Sequence, residues 1–132
     1  NDNMEKTLLR MKEYIAALKN RNETAIELLV DDNIHKLNLN MQLRHDAFLL
    51  FRESIKQLVL AGAADCRIHI GVEKNHLLYS LQYSNEHCDM QQITNLLQSQ
   101  EMEKKMGAIH ASRQFEVQKS FSLLTVKIPL QQ

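Results

Sequence analysis

The sequence predicts an α+β fold: a two-layer sandwich in which a mixed, mostly antiparallel sheet is covered on one face by helices. Three observations predict it. Residues 66–84 and 113–130 each alternate apolar and polar side chains on both sides of a short polar turn, the pattern of a β-hairpin. Residues 4–20 and 41–62 place apolar residues at helical spacing. The order is helix, strand, extended piece, long helix, hairpin, helix, hairpin. At 132 residues the chain has the size of one domain, 1–132, with enough residues to bury a core.

The elements follow in order. "MEKTLLRMKEYIAALKN" sets Leu8, Met11, Ile15 and Leu18 on one helical stripe, with charges opposite. "TAIELLVDD" is a short strand closing in a polar turn, and "HKLNLN" alternates and is extended. In "MQLRHDAFLLFRESIKQLVLAG" the stripe is Phe48, Phe51, Ile55 and Leu58, and Gly62 stops the helix. Its other side carries Leu49, Glu53, Gln57 and Leu60, so the helix is expected to be buried on more than one side. Ile68, Ile70 and Val72 alternate before the "EKN" turn; Leu77, Tyr79, Leu81 and Tyr83 alternate after it. "MQQITNLLQSQEMEKKMGAI" reads as uninterrupted helix, and the final hairpin turns near Lys119 and Ser120. Met41, Met102 and Met106 are expected to fill the core. No internal repeat, low-complexity tract or linker divides the chain.

Composition excludes several functions. Sixteen basic residues balance sixteen acidic ones, so no strong field directs the chain to nucleic acid or an anionic membrane. No apolar run approaches the ~20 residues of a membrane span, and no signal peptide is visible. The expectation is a soluble, cytoplasmic domain with reduced thiols, since its two cysteines, Cys66 and Cys88, lie far apart in sequence. The three glycines, Gly62, Gly71 and Gly107, are widely separated. A loop that wraps phosphates with backbone N–H groups needs closely spaced glycines, and none is present.

Glu86, His87, Cys88 and Asp89 form a run of potential metal ligands. Adjacent ligands in a strand-to-helix link cannot all face one ion, and no second His/Cys cluster lies at zinc spacing. The run reads as a polar turn whose Asp89 or Asn85 caps the next helix, and no metal site is expected. An activated Cys88 thiol beside His87 is the lesser alternative. His45 and Asp46 read as a surface polar pair.

"LRHDAFLLFRESIKQLVLAGAADCRIHIGVEKNHLLYSLQY" resembles the ATP-binding (Bergerat-fold) domain of two-component sensor histidine kinases. "FRESIKQLV" covers the signature of the family's long helix, "AGAADCRIHIGVEKNHLLYSLQY" its hairpin, and "LLTVKIPL" its last strand. The resemblance implies that Glu53 is the acidic residue that polarises the attacking group. It implies that Gln57 stands where relatives carry a Mg²⁺-ligating Asn. Tyr83, Asn85 and His87 fall on the Asp-x-Gly-x-Gly motif that reads adenine. Leu60 and Ala61 replace Lys and His. "NLLQSQEM" lacks the glycines of the phosphate lid, and the Gly-Thr before the last strand is replaced by "FS".

The implied function is that of a degenerate ATP-binding domain of a sensor-kinase-like signalling protein, its ATP binding weak or lost. The alternative is a non-enzymatic pseudokinase module that scaffolds a signalling partner. Mg-ATP is the cofactor only if the site still works. The implied partners are an upstream dimerisation and phosphoacceptor region, or a response regulator. The chain is then the C-terminal part of a longer protein, which could be membrane-bound. Glu53 has a plainer reading as a salt-bridged or solvated helix residue. Leu49 and Leu60 are expected to fill an unused cleft, leaving it closed or shrunken.

Overall fold

The structure, a computed structural model, describes residues 3–22 and 25–131. Thr24, at the head of the predicted first strand, lies outside the described residues. The elements are α1 (Glu5–Asn22), β1 (Ile26–Val30), a 3-10 turn at Asp32–Lys36, α2 (Met41–Leu60), β2 (Ala64–Glu73), β3 (His76–Ser84), α3 (Met90–Leu97), α4 (Gln100–Ala108), β4 (Ser112–Val117) and β5 (Phe121–Pro129). The sheet order is β1-β2-β3-β5-β4. Only β1 and β2 pair in parallel; the other neighbours are antiparallel. The predicted α+β sandwich is the observed one.

Alternation along the strands decides which face is covered. Ile68, Ile70, Leu77, Tyr79, Leu81, Leu124, Val126 and Ile128 are buried on the helix side. Arg67, Gln82, Thr125 and Lys127 lie at least partly open on the other face. The stripe of α1 (Leu8, Met11, Ile15, Leu18) and that of α2 (Phe48, Phe51, Ile55, Leu58) are buried as expected. The Phe51 ring meets the Tyr79 ring edge-on at 5.9 Å. The Tyr79 hydroxyl lies 3.1 Å from Ser54 Oγ, which donates to the Leu50 carbonyl (2.8 Å). The fully buried tyrosine is thereby satisfied.

Local chemistry sets the ends. Asn40 accepts from the Leu43 N–H (2.8 Å) and caps α2. At the other end the Gly62 N–H bonds the Val59 carbonyl (3.1 Å) and the Ala63 N–H the Leu58 carbonyl (3.0 Å), a Schellman motif. Gly62 sits at φ +89°, and a Cβ there would lie 2.8 Å from the His87 carbonyl oxygen. The β2–β3 turn has Lys74 and Asn75 both at positive φ (47° and 65°), the twist-matched form for a two-residue hairpin. A bulge between Ala64 and Arg67 absorbs Asp65, also at positive φ.

Three expectations fail. The helix expected across residues 90–109 is two helices, because Ser99 adopts an extended conformation and its hydroxyl accepts from the Met102 N–H (3.2 Å), capping α4. The break lets Ile93 and Leu97 of α3, and Met102 and Met106 of α4, all reach the core. His35 and Lys36 belong to a 3-10 turn, not an extended run, because that turn seats the fully buried Ile34. Met41 is 74% exposed on the first turn of α2, off the stripe; Met102 and Met106 are core residues as expected.

Substituting Gly62→Ala should destabilise the chain by more than ~1 kcal/mol, since it meets both strain and a backbone clash. Asp89→Ala should cost about 1 kcal/mol through lost capping of α3. Urea unfolding midpoints test both, and an unchanged midpoint for Gly62→Ala would refute the close passage described.

Candidate functional site

The site residues fall into two groups. Glu53 and Gln57 stand one turn apart on α2, both half-buried, and the Gln57 amide donates to Glu53 Oε1 (2.6 Å). Glu53 therefore bonds its helical neighbour and makes no ion pair with Arg52. Leu49 is half-buried and packs on the core, but Leu60, expected to plug the cleft, is 63% exposed. It lies in the last turn of α2.

The second group follows β3. Tyr83 is 1% exposed, and its hydroxyl has no hydrogen-bond partner. Burial pushes its phenol up to about 12, against the pull of the nearby Ser122 hydroxyl. That hydroxyl gives its own hydrogen bond to Asn85 Oδ1 (2.5 Å). Asn85 also donates from Nδ2 to the Gln118 carbonyl (2.8 Å), and its N–H donates to the Ser120 carbonyl (3.0 Å). One side chain thus ties the end of β3 to the β4–β5 turn.

His87 has a left-handed backbone (φ 63°) and an exposed side chain facing Glu86 (3.4 Å). Its imidazole lies in solvent. The close approach at this residue is made by its carbonyl, over Gly62. Asp89 caps α3, accepting from the Gln92 N–H (3.0 Å), and its own N–H donates to the Ala61 carbonyl (3.1 Å). The polar-turn reading of residues 86–89 holds, and among the described residues no group of three or more His, Cys, Asp or Glu could hold a metal ion. No hydrogen bond joins the Glu53–Gln57 pair to Tyr83, Asn85 or His87. The segment 95–102, aligned with the family's lid, holds the end of α3, a two-residue link (Gln98 and Ser99) and the start of α4.

Three relations were missed from sequence. Cys66 and Cys88, far apart along the chain, are close enough in the fold for a charge on Cys88 to act on the Cys66 thiol. Burial pushes the Cys66 thiol up to about 11, with Cys88 adding to it. Both thiols are free. The second is the Ser122–Asn85 bond, which depends on the β3–β5 register. The third is the bond from His69 Nε2 to Asp31 Oδ1 (2.7 Å), which joins β2 to the residue following β1. A Cβ on residue 71 would meet the Asp31 carboxylate, so a side chain there would have to displace it. The widely spaced glycines were the available signal for these close passages.

Tyr83→Phe should leave stability unchanged or raise it by up to ~1 kcal/mol, because it removes an unpaired buried hydroxyl. Tyr79→Phe should cost about 1 kcal/mol, because it breaks a made bond. The opposite ranking in chemical denaturation would refute the assignment. The raised Cys66 and Tyr83 values also carry a pH dependence. A raised folded value keeps its stabilisation below the unfolded value and loses it as pH rises through the folded one. Stability should therefore fall from about pH 9 to about pH 12. Cys66→Ala should delay the onset of that fall, a difference readable in urea midpoints taken at pH 8.5 and about pH 10.5.

No described protein family and no curated protein matches this chain in sequence. Solved structures do match in shape. The Acinetobacter baumannii histidine kinase AdeS superposes with a TM-score of 0.72 at 12% identity, over 98% of this chain and 66% of that one. The catalytic domain of histidine kinase ThkA gives 0.72 at 9%, over 97% and 92%. The blue-light activated histidine kinase of Erythrobacter litoralis gives 0.65 at 12%, over 91% and 40%. This chain thus spans about two thirds of the AdeS structure and two fifths of the blue-light kinase. At such identities the likeness establishes the fold: the chain is built as a histidine-kinase catalytic domain is built.

Proposed function

We propose that the chain is the ATP-binding-like domain of a sensor-histidine-kinase-type signalling protein in which nucleotide binding is weak or lost. The observation that carries this reading is the link between α3 and α4. Where the resembled family places a glycine-containing lid over the phosphates, this chain has Gln98 and Ser99, and Ser99 is committed to capping α4. Two residues held this way cannot wrap a triphosphate with backbone N–H groups.

The remaining residues also fit Mg-ATP poorly. A buried phenol at Tyr83 takes the place of an exposed carboxylate acceptor for the adenine amino group. Gln57 is engaged with Glu53, and its side chain is a methylene longer than the family's metal ligand; Mg²⁺ demands near-ideal octahedral geometry. The His87 carbonyl closes on Gly62 at the end of α2. In this reading Glu53 is a helix-surface residue bonded to Gln57, and no phosphoryl-transfer step runs through it. The domain then acts by holding a partner: a dimerisation and phosphoacceptor region, or a response regulator. No helix of the described residues is long and apolar enough to cross a membrane.

A thermal melt with millimolar Mg-ADP tests the proposal. A ligand at about 100 times its Kd adds about 2.7 kcal/mol, a rise on the order of 10 °C for a chain of this size. The expected rise is below about 1 °C. A rise of several degrees would overturn the loss of nucleotide binding. The double substitution Tyr83→Asp with His87→Gly is expected not to restore binding, because the α3–α4 link stays short.

A further inference from the structure

A cleft of about 380 Å³ opens between α1 and α2 and is lined wholly by residues of those two helices. Its size is that of a small-molecule site, roughly 300–1,000 Å³. Its wall is apolar: Leu18 is buried, Val59 and Tyr14 half-buried, and Leu60 stands exposed at the mouth. Into the same cleft come three cations, Arg21, Arg52 and Lys56, against one carboxylate, Glu53. That carboxylate accepts the Gln57 amide (2.6 Å) and pairs with none of the three. Among the described residues none of these cations forms an ion pair.

The seam is crowded with like charge beyond the cleft as well. The Arg10 and Arg52 guanidinium groups both lie against the Phe48 ring, at 4.1 and 5.7 Å from its centre. The Tyr14 phenol is raised by burial and drawn down by Arg52 and then Arg21, so both guanidinium groups act on it. In a chain with no net charge, this concentration of uncompensated cations around an apolar hollow is a specific local feature.

We infer that the α1–α2 cleft binds a small organic anion, a phosphate monoester or carboxylate carrying an aromatic or aliphatic body. The anionic head sits among Arg21, Arg52 and Lys56, where charge-assisted hydrogen bonds form, and the body lies against Leu18, Val59 and the Tyr14 ring. A membrane phospholipid headgroup offers the same head chemistry. The site does not involve Tyr83, Asn85 or the α3–α4 link, though it shares Glu53 and Leu60 with the α2 group of the candidate site.

The test is calorimetric titration of the full chain with phenyl phosphate, with inorganic phosphate and phenol as controls, alongside co-sedimentation with phosphatidylglycerol vesicles. Phenyl phosphate should bind about tenfold or more tightly than either control. The Arg52→Ala/Lys56→Ala variant should lose about tenfold or more in affinity while keeping its far-UV spectrum and cooperative melt, and Glu53→Gln should tighten binding. Vesicle binding without phenyl phosphate binding, lost in the same double variant, would support the site and assign its head to a lipid. Equal affinity for inorganic phosphate, survival of binding in the double variant, or no binding in either arm would overturn the inference. The Tyr83→Asp/His87→Gly variant should bind phenyl phosphate as the parent does, which separates this outcome from any result with Mg-ADP.

Discussion

The seating of α2 on the centre of the sheet is the constraint from which the rest of the molecule follows. Phe51 and Ile55 lie over β2 and β3, and the Tyr79 hydroxyl reaches up to Ser54, so both depth and rotation of the helix are set. Helix rotation then decides everything on its outer faces. It points Glu53 and Gln57 sideways, leaves Leu60 to solvent, and brings Arg52 and Lys56 to the groove shared with α1. It also fixes where the Schellman turn at Gly62 emerges, and hence where the chain leaving β3 must cross the helix end.

That crossing shapes the region where the resembled family holds nucleotide. Two backbone contacts mark it: the His87 carbonyl over Gly62, and the Asp89 N–H on the Ala61 carbonyl. The Tyr83 side chain lies in the core, while those of His87 and Leu60 face water. Contacts made by backbone are more rigid than contacts made by side chains, because a rotamer change cannot relieve them.

Much of this was legible in the sequence, for a local reason. Amphipathic stripes and strand alternation are properties of neighbouring residues, so α1, α2 and both hairpins could be read directly, as could the stop at Gly62 and the cap at Asp89. The failures were of two kinds. At Ser99 and Ile34 a local choice was open and the core decided it, splitting one expected helix and coiling one expected extended run. The Asn85–Ser122, Asp31–His69 and Cys66–Cys88 relations join residues brought together only by register, which pattern alone does not reveal. The order of elements pointed to the kinase-like fold; the chemistry of the cleft depended on those unread relations.

The parallel pairing of β1 with β2 has a consequence for how the chain assembles. Ile26 faces Cys66 and Val30 faces Ile70, partners separated by the whole of α2, whereas the β2–β3 hairpin closes through two turn residues. Closing the longer loop costs more chain entropy before any contact repays it. Chain entropy therefore favours the two hairpins and the helices as early structure, with the β1–β2 and β3–β5 pairings, both between residues far apart in sequence, expected after them. The Asp31–His69 bond can form only with the β1–β2 pairing, so it is expected to be lost whenever β1, an edge strand, leaves the sheet.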